Sequence, residues 1–206
     1  RASTLDSGRL AIGYSTHQFV MPLLSEFIRA YPGLRIEARS QATGDLVQLL
    51  HSGDLEVAFV TLSGPDPALR CVELRRERIV LMVRRGHPPD GHGPVGWDDL
   101  ERHPLIRRES SSGTRQVFDA VASAAGAQLR TVFDLGSWES MRAAVVAGIG
   151  LGIAMEGEID SADPQIVPVA IRDSALTVGH YLVCLPEMRD LAPVAALFRS
   201  AAVHSG

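Results

Sequence analysis

The residues with the most evident binding chemistry stand together in the middle of the chain: Ser110, Ser111, Ser112, Gly113 and Thr114. They lie between a strand-like apolar stretch at 104–106 and a run with helical periodicity that begins at Val117. Hydroxyls and backbone N–H groups at the start of a helix can form an anion site. Three nearby arginines add positive charge: Arg107, Arg108 and Arg115. An ordinary helix-capping loop with surface arginines is the alternative, and both interpretations stay open at this point.

No pattern in the chain predicts catalysis or metal binding. There is no Gly-x-Ser-x-Gly elbow, and no histidine and aspartate are placed to activate a serine. No pair of the seven histidines has metal-ligand spacing with a carboxylate or a cysteine. A Gly-x-Gly-x-x-Gly motif after a strand is also absent. We therefore expect no catalytic residues, no metal and no cofactor.

Composition narrows the class of protein. The 206 residues, 46% hydrophobic and 21% charged, are typical of one large or two small globular domains. A net charge of −4 argues against a general attraction to nucleic acid. Cys71 and Cys184 lie in strand-like runs, so we expect free thiols in a reducing compartment. No signal peptide is visible, and the longest apolar run, 143–155, is too short to span a membrane. These features predict a cytoplasmic protein without a membrane contact.

The order strand, helix, strand, helix, strand occurs twice along the chain. The first copy has strands at 10–14, 34–40 and 55–60, with helices whose apolar positions run through 20–28 and 46–50. The second of these helices is expected to end at Gly53. The second copy has strands at 104–106, 131–135 and 150–155, with helices reaching 125 and passing through 141–145. Further strands are predicted at 71–74, 79–83 and 178–185, a helical turn at 97–100 and a last helix at 192–202. Each copy predicts right-handed crossovers and a parallel sheet.

Ligands of open parallel sheets sit beyond the carboxyl ends of the strands. In the first copy this edge carries Ser15, Thr16 and His17. They correspond to residues 110–114 of the second copy, which we call the serine loop. The loop at Gln41 corresponds in the same way to the loop at Trp138. If the two halves face each other, these loops line one cleft, and two helix N-termini would converge on it. That convergence strengthens the case for an anion site, and a simple cap stays open as the alternative.

Five segments in a specific order and spacing carry a resemblance to a known family: 10–14, 24–34, 50–59, 84–88 and 145–154. They read LAIGY, LSEFIRAYPGL, LHSGDLEVAF, RRGHP and VVAGIGLGIA. With them the chain resembles the effector-binding domain of LysR-type transcriptional regulators, which share the type 2 periplasmic-binding-protein fold. The family's N-terminal winged helix-turn-helix has no counterpart among these residues. We therefore expect a fragment that lacks its DNA-binding domain.

The resemblance implies an α/β fold with two Rossmann-like subdomains, a central cleft and two crossover strands. We expect subdomain I at 8–82 plus 184–206 and subdomain II at 83–183. It also implies homodimers in which the first helix lies antiparallel to the partner's helix after Trp138, and tetramers of the full-length protein. DNA would be contacted only through the missing N-terminal domain.

The resemblance further implies an inducer in the cleft, and we predict a small anion: a carboxylate, a phosphonate, a sulfonate or an inorganic oxyanion. Its charge would meet the N–H groups and hydroxyls of the serine loop and of Ser15 and Thr16, beside His17. Gln41 and Thr61 would contact the rest of the ligand. Trp138 would either stack on the ligand or pack between helices, and its large area favours packing. Capping is the alternative for Ser15 and Thr16, and a solvated strand end is the alternative for Thr61.

Two other functions fit the same fold. One is a free solute-binding receptor of a transporter, against which the absent signal peptide argues. The other is a lyase of the prephenate-dehydratase or deaminase type, which turnover assays would distinguish from a binding domain.

Overall fold

The computed structural model describes Leu5 and residues 7–205. In that part of the chain the α-helices, labelled α1 to α6, are His17–Ala30, Thr43–Ser52, Trp97–Leu100, Gly113–Ala124, Trp138–Val146 and Ala192–Ala202. The strands, labelled β1 to β9, are Gly8–Tyr14, Leu34–Ser40, Val57–Leu62, Arg70–Arg84, Pro104–Arg108, Arg130–Leu135, Gly152–Met155, Ile166–Ala170 and Thr177–Cys184. Short 3-10 turns follow β7 at Glu156–Glu158 and β9 at Pro186–Met188.

The chain forms two compact units. Unit 1 takes the residues up to Arg76 and those from Gly179 onward, and unit 2 is Glu77–Val178. The chain therefore leaves unit 1 within β4 and returns to it within β9. The predicted change points, 82/83 and 183/184, lie a few residues further along the same two strands.

In unit 1 the strands lie in the order β2-β1-β3-β9. Strand β1 pairs in parallel with β2 and β3, whereas β9 runs antiparallel to β3. Helices α1 and α6 cover one face, where Phe27 and Leu197 join the core. Helix α2 covers the other face through Leu46 and Leu50. It ends at Gly53, whose φ of 80° is a left-handed conformation that suits glycine, as the sequence predicted.

In unit 2, β5 pairs in parallel with β6, and β4 pairs antiparallel with β7 and β8. Helix α4 packs through Phe118 on the core that contains Leu105 and Ile153. Helix α5 packs through Met141 and Val145 on a second cluster around Ile106. The α/β class expected from the sequence is thus confirmed, with antiparallel strands added to the predicted parallel ones.

The prediction of two strands at 71–74 and 79–83 was wrong, because β4 is one continuous strand. The charged stretch between them reads as a loop in the sequence. Its side chains have partners instead: Arg76 pairs with Glu73, and Arg78 pairs with Glu156. Strand β8 was not predicted. It contains Pro168, which is tolerated because β8 pairs with β4 alone in the described structure.

Candidate functional site

The first polar loop of unit 1 joins the carboxyl end of β1 to α1. The Ser15 N–H donates to the Phe59 carbonyl at 3.0 Å, which ties this loop to β3. The Thr16 carbonyl accepts from the Phe19 N–H, so Thr16 is the N-cap residue of α1 by its backbone. Its side chain makes no capping hydrogen bond, although the residue is only 5% exposed. The Thr16 hydroxyl is therefore not used by the helix, and the exposed His17 follows it as the first helical residue.

A buried pair of threonines lies where β3 meets the start of α2. The Thr61 N–H donates to Thr43 Oγ1 at 3.1 Å, and the two hydroxyl oxygens are also 3.1 Å apart. Thr61 is buried, which excludes the alternative that it is a solvated strand end. Gln41, by contrast, is exposed, and its N–H donates to the Tyr14 carbonyl. Thr43 was missed from the sequence, although its place just before the apolar positions of α2 marks it as a helix-start residue.

His180 is a second residue of this region that the sequence did not indicate. It lies opposite Thr61 in the β3–β9 register and is buried. Its ring stacks on Phe19 of α1, with 4.0 Å between centroids and 18° between planes. The Arg75 guanidinium lies 4.8 Å from the centroid of the same Phe19 ring. An aromatic and a cationic group thus border the polar start of α1 within unit 1.

The serine loop of unit 2 forms a turn that leads into α4. The Ser112 N–H donates to the Glu109 carbonyl at 3.0 Å, and Ser112 Oγ accepts from the Arg115 N–H at 3.3 Å. The capping interpretation therefore holds for Ser112. Gly113 and Thr114 are buried in the first helical turn, where N–H groups have no acceptor within the helix. Capping by Ser112 uses the Arg115 N–H and leaves the other first-turn N–H groups without an acceptor inside the helix.

Two further serines of this loop differ in exposure. Ser110 is exposed, and its carbonyl accepts from the Gln116 side-chain amide at 3.1 Å. Ser111 is half-buried. The Gln116 contact holds the loop against the second turn of α4.

The three arginines near the serine loop each pair with a carboxylate of the same unit. The pairs are Arg107–Asp119, Arg108–Glu109 and Arg115 with both Asp119 and Asp134. The positive charge expected from the sequence is therefore largely neutralised within unit 2. The first-turn N–H groups at Gly113 and Thr114 are the donors of this loop that the helix itself does not use.

Glu158 is a buried carboxyl group at the carboxyl end of β7. One of its oxygens accepts from the Met155 N–H at 2.9 Å. Burial raises the pKa of Glu158 to about 7, and the charges of Glu77 and Glu139 push it in the same direction, against the lowering effect of that N–H and of Arg108. Near neutral pH a large fraction of this carboxyl is protonated and is a hydrogen-bond donor. Nothing in the segment Glu156-Gly157-Glu158 marks it in the sequence, because its burial is a tertiary effect.

Trp138 begins α5 and is half-buried against the cluster that contains Met141 and Ile106. Its indole Nε1 is buried and has no hydrogen-bond partner among the residues that the structure describes. The preceding Ser137 caps α5 by accepting from the Ser140 N–H at 3.1 Å. Packing thus accounts for the Trp138 ring, whereas its N–H is a donor left unsatisfied inside unit 2.

Three general features complete the description. Across the residues described, no three His, Cys, Asp or Glu side chains come together as a metal-ion group. No helix in the same part of the chain is both long and apolar enough to cross a membrane. Cys71 and Cys184 are free thiols.

The model of the LysR substrate binding domain matches residues 3–205. A curated relative, the phosphonates import ATP-binding protein PhnC of Anaeromyxobacter dehalogenans, is 30% identical over 161 residues, which are 74% of this chain and 32% of that protein. Other curated relatives are HTH-type transcriptional regulators of Bacillus subtilis. The chain spans about a third to two thirds of the length of these relatives.

Solved structures share the fold over nearly the whole chain. The regulatory domain of CcmR from Synechocystis PCC6803, in complex with 2-PG, superposes with a TM-score of 0.85 at 22% identity, covering 97% of this chain and 99% of that one. The effector-binding domain of QuiR in complex with shikimate gives a TM-score of 0.85 at 16% identity and covers 97% of each chain. At these identities the likeness shows the type 2 periplasmic-binding-protein-like fold and nothing finer.

Proposed function

Because this chain belongs to the LysR substrate-binding domain family, we propose that it senses a small anionic effector and controls transcription by a longer bacterial regulator. The family consists of regulator domains and not of enzymes, so the proposed function is binding without turnover. The effector would lie in the inter-subdomain cleft that the family resemblance implies, and the regulator would act in the cytoplasm.

One observation carries the anion proposal: the polar starts of α1 and α4 keep donors that their helices do not use. In unit 1 the buried Thr16 hydroxyl makes no capping bond. In unit 2 Ser112 supplies the cap, while Gly113 and Thr114 lie in the first turn of α4. Each helix start also contributes a partial positive charge from its aligned peptide dipoles. Both features favour a ligand with negative charge.

We assign the remaining contacts by their place at the same ends of the strands. In unit 1 they are Ser15, His17, Gln41, Thr43 and Thr61; in unit 2 they are Ser110, Ser111 and Trp138. The buried, unpartnered Trp138 N–H supports a direct donor role. Glu158, with its raised pKa, is suited to donate a proton to an oxyanion in a hydrogen bond.

The relatives support the chemical class of the ligand. CcmR and QuiR are described as complexes with 2-PG and with shikimate, and the PhnC relative is named for phosphonates. Since the arginines of the serine loop are already paired, a compact phosphonate, phosphate or carboxylate held by N–H groups and hydroxyls fits better than a ligand that needs a free guanidinium. DNA would be bound only by another domain of the regulator, which we expect to act as a dimer or tetramer.

Thermal denaturation with a panel of anions tests the proposal. The panel contains phosphate, methylphosphonate, sulfate, acetate, shikimate and 2-PG. A ligand at 100 times its Kd stabilises the folded state by about 2.7 kcal/mol, so a true effector gives a clear rise in Tm. Thr114→Val and Thr16→Val should each weaken the strongest binder about ten-fold, because each removes one hydrogen bond to a charged group.

Thr131→Val is the matched control, since Thr131 is exposed on β6. Ser112→Ala is a poorer test, because loss of the α4 cap itself costs about 1 kcal/mol of stability. Unchanged affinity in both threonine variants would overturn the assignment of these two helix starts to the ligand.

A further inference from the structure

Two adjoining surface grooves lie in unit 2 around the amino end of β5, with volumes of about 350 Å³ and about 170 Å³. Pro88 and His103 line both, so the grooves meet at these residues. Three arginines and three histidines contribute to their walls: Arg84, Arg102, Arg172, His87, His92 and His103. The larger groove is within the size range of small-molecule sites.

The charge of these grooves is opposite to that of the chain, whose net charge is −4. Asp99 is the one acidic residue that lines either groove in the described structure. It lies 3.5 Å from Arg172, which also donates to the Pro94 carbonyl. Arg84 and Arg102 are exposed, and no carboxylate of the described chain pairs with either. Two unneutralised guanidinium groups thus border a concave surface.

We propose that these grooves bind a small polyanion, a molecule with two or more phosphate or carboxylate groups. Arg102 lines the larger groove and Arg84 the smaller, and His103 lines both. A ligand with two anionic groups can contact both arginines, whereas a singly charged ligand engages one. Guanidinium groups bind phosphate and carboxylate oxygens in a bidentate manner, and Pro88 offers an apolar wall for a carbon skeleton.

This site is separate from the anion site proposed above. The smaller groove includes Pro104, the first residue of β5, whereas the serine loop follows Arg108, the last. Five strand residues place these ends about 13 Å apart. A test that overturns one of the two proposed sites therefore leaves the other unaffected.

Proton NMR spectra of the histidine rings test the proposal. Inorganic pyrophosphate and citrate are the probes, and acetate is the singly charged comparison. Both polyanions should shift the resonances of His87, His92 and His103 in a saturable way, with a Kd below roughly 1 mM. His51 and His204, which lie outside both proposed sites, should not respond. Arg84→Ala and Arg102→Ala should each weaken binding about ten-fold, because each removes a charged hydrogen-bond donor.

Arg199→Ala is the control, since it removes an exposed arginine of α6 in unit 1. Thr114→Val should also leave pyrophosphate binding at the grooves unchanged, which separates this site from the serine loop. Equal shifts at all histidines, no saturation, or full affinity in both arginine variants would overturn the proposal. A DNA duplex that shifts the three groove histidines at lower concentration than citrate would overturn it as well, and would assign the surface to nucleic acid.

Discussion

Replacing Glu158 by glutamine should make the stability of unit 2 less dependent on pH. Glutamine has the same shape, and its carbonyl oxygen can still accept from the Met155 N–H, as Glu158 does at 2.9 Å. It cannot ionise. The variant therefore removes the titration of one buried carboxyl and keeps its hydrogen bond.

The size and direction of the effect follow from the raised pKa, which is about 7 in the folded protein against an ordinary 4.5. Below pH 4.5 both the folded and unfolded chains hold the Glu158 proton, and its contribution to stability is fully present. As the pH rises toward 7 the unfolded chain releases the proton first, so folding stability is lost. With about 1.4 kcal/mol for each pH unit of separation, the loss approaches about 3 kcal/mol by pH 8.

Urea denaturation at pH 5, 6, 7 and 8 measures this loss. The parent should lose stability relative to Glu158→Gln by about 2 kcal/mol between pH 5 and pH 7, while any pH-independent cost of the amide cancels in the comparison. Glu187→Gln, at an exposed position in unit 1, is the control and should follow the parent. Parallel profiles for parent and Glu158→Gln would refute the reasoning, and would mean that Arg108 keeps this carboxyl ionised.

Ile28→Asp should shift sedimentation of the chain from dimer toward monomer, because Ile28 is 47% exposed on α1, the helix expected at the dimer interface. Val20→Asp does not test this surface, since Val20 is 1% exposed and belongs to the core of unit 1. A dimer unchanged by Ile28→Asp would exclude this face of α1 from the dimer interface. Arg142→Met should lower the free energy of unfolding at pH 7 by about 1–2 kcal/mol. The Arg142 hydrogen bonds, both at 2.9 Å, are the main reason that the pKa of Asp163 falls to about 2. The stability from Asp163 is present above its unfolded pKa and is lost as the pH falls through about 2. Arg189→Met, at an exposed ion pair, should change stability by less than about 0.5 kcal/mol in the same urea titrations; equal effects of the two variants would contradict this account.

Local patterns were enough to predict most elements of this protein. Helix α6 was predicted at 192–202 and β2 at 34–40, and both have those bounds. The turn to a left-handed glycine after α2 was predicted at Gly53. Periodicity, glycine stops and polar loop composition act over a few residues, so they are readable without knowledge of the rest of the chain. The family, by contrast, came from the resemblance carried by five sequence segments, among them LAIGY and RRGHP.

Tertiary structure decided which polar groups are available for binding. The sequence indicates serines at 110–112, but only the structure shows that Ser112 caps α4 while Thr16 does not cap α1. The pairing of Thr43 with Thr61 and the stacking of His180 on Phe19 join residues far apart in the chain. The same holds for β4, which continues through charged residues because partners elsewhere satisfy them, and for Glu158, whose pKa depends on burial. Each depends on long-range contacts, because the desolvation and pairing of a polar group are set by its neighbours in space and not by its neighbours in sequence.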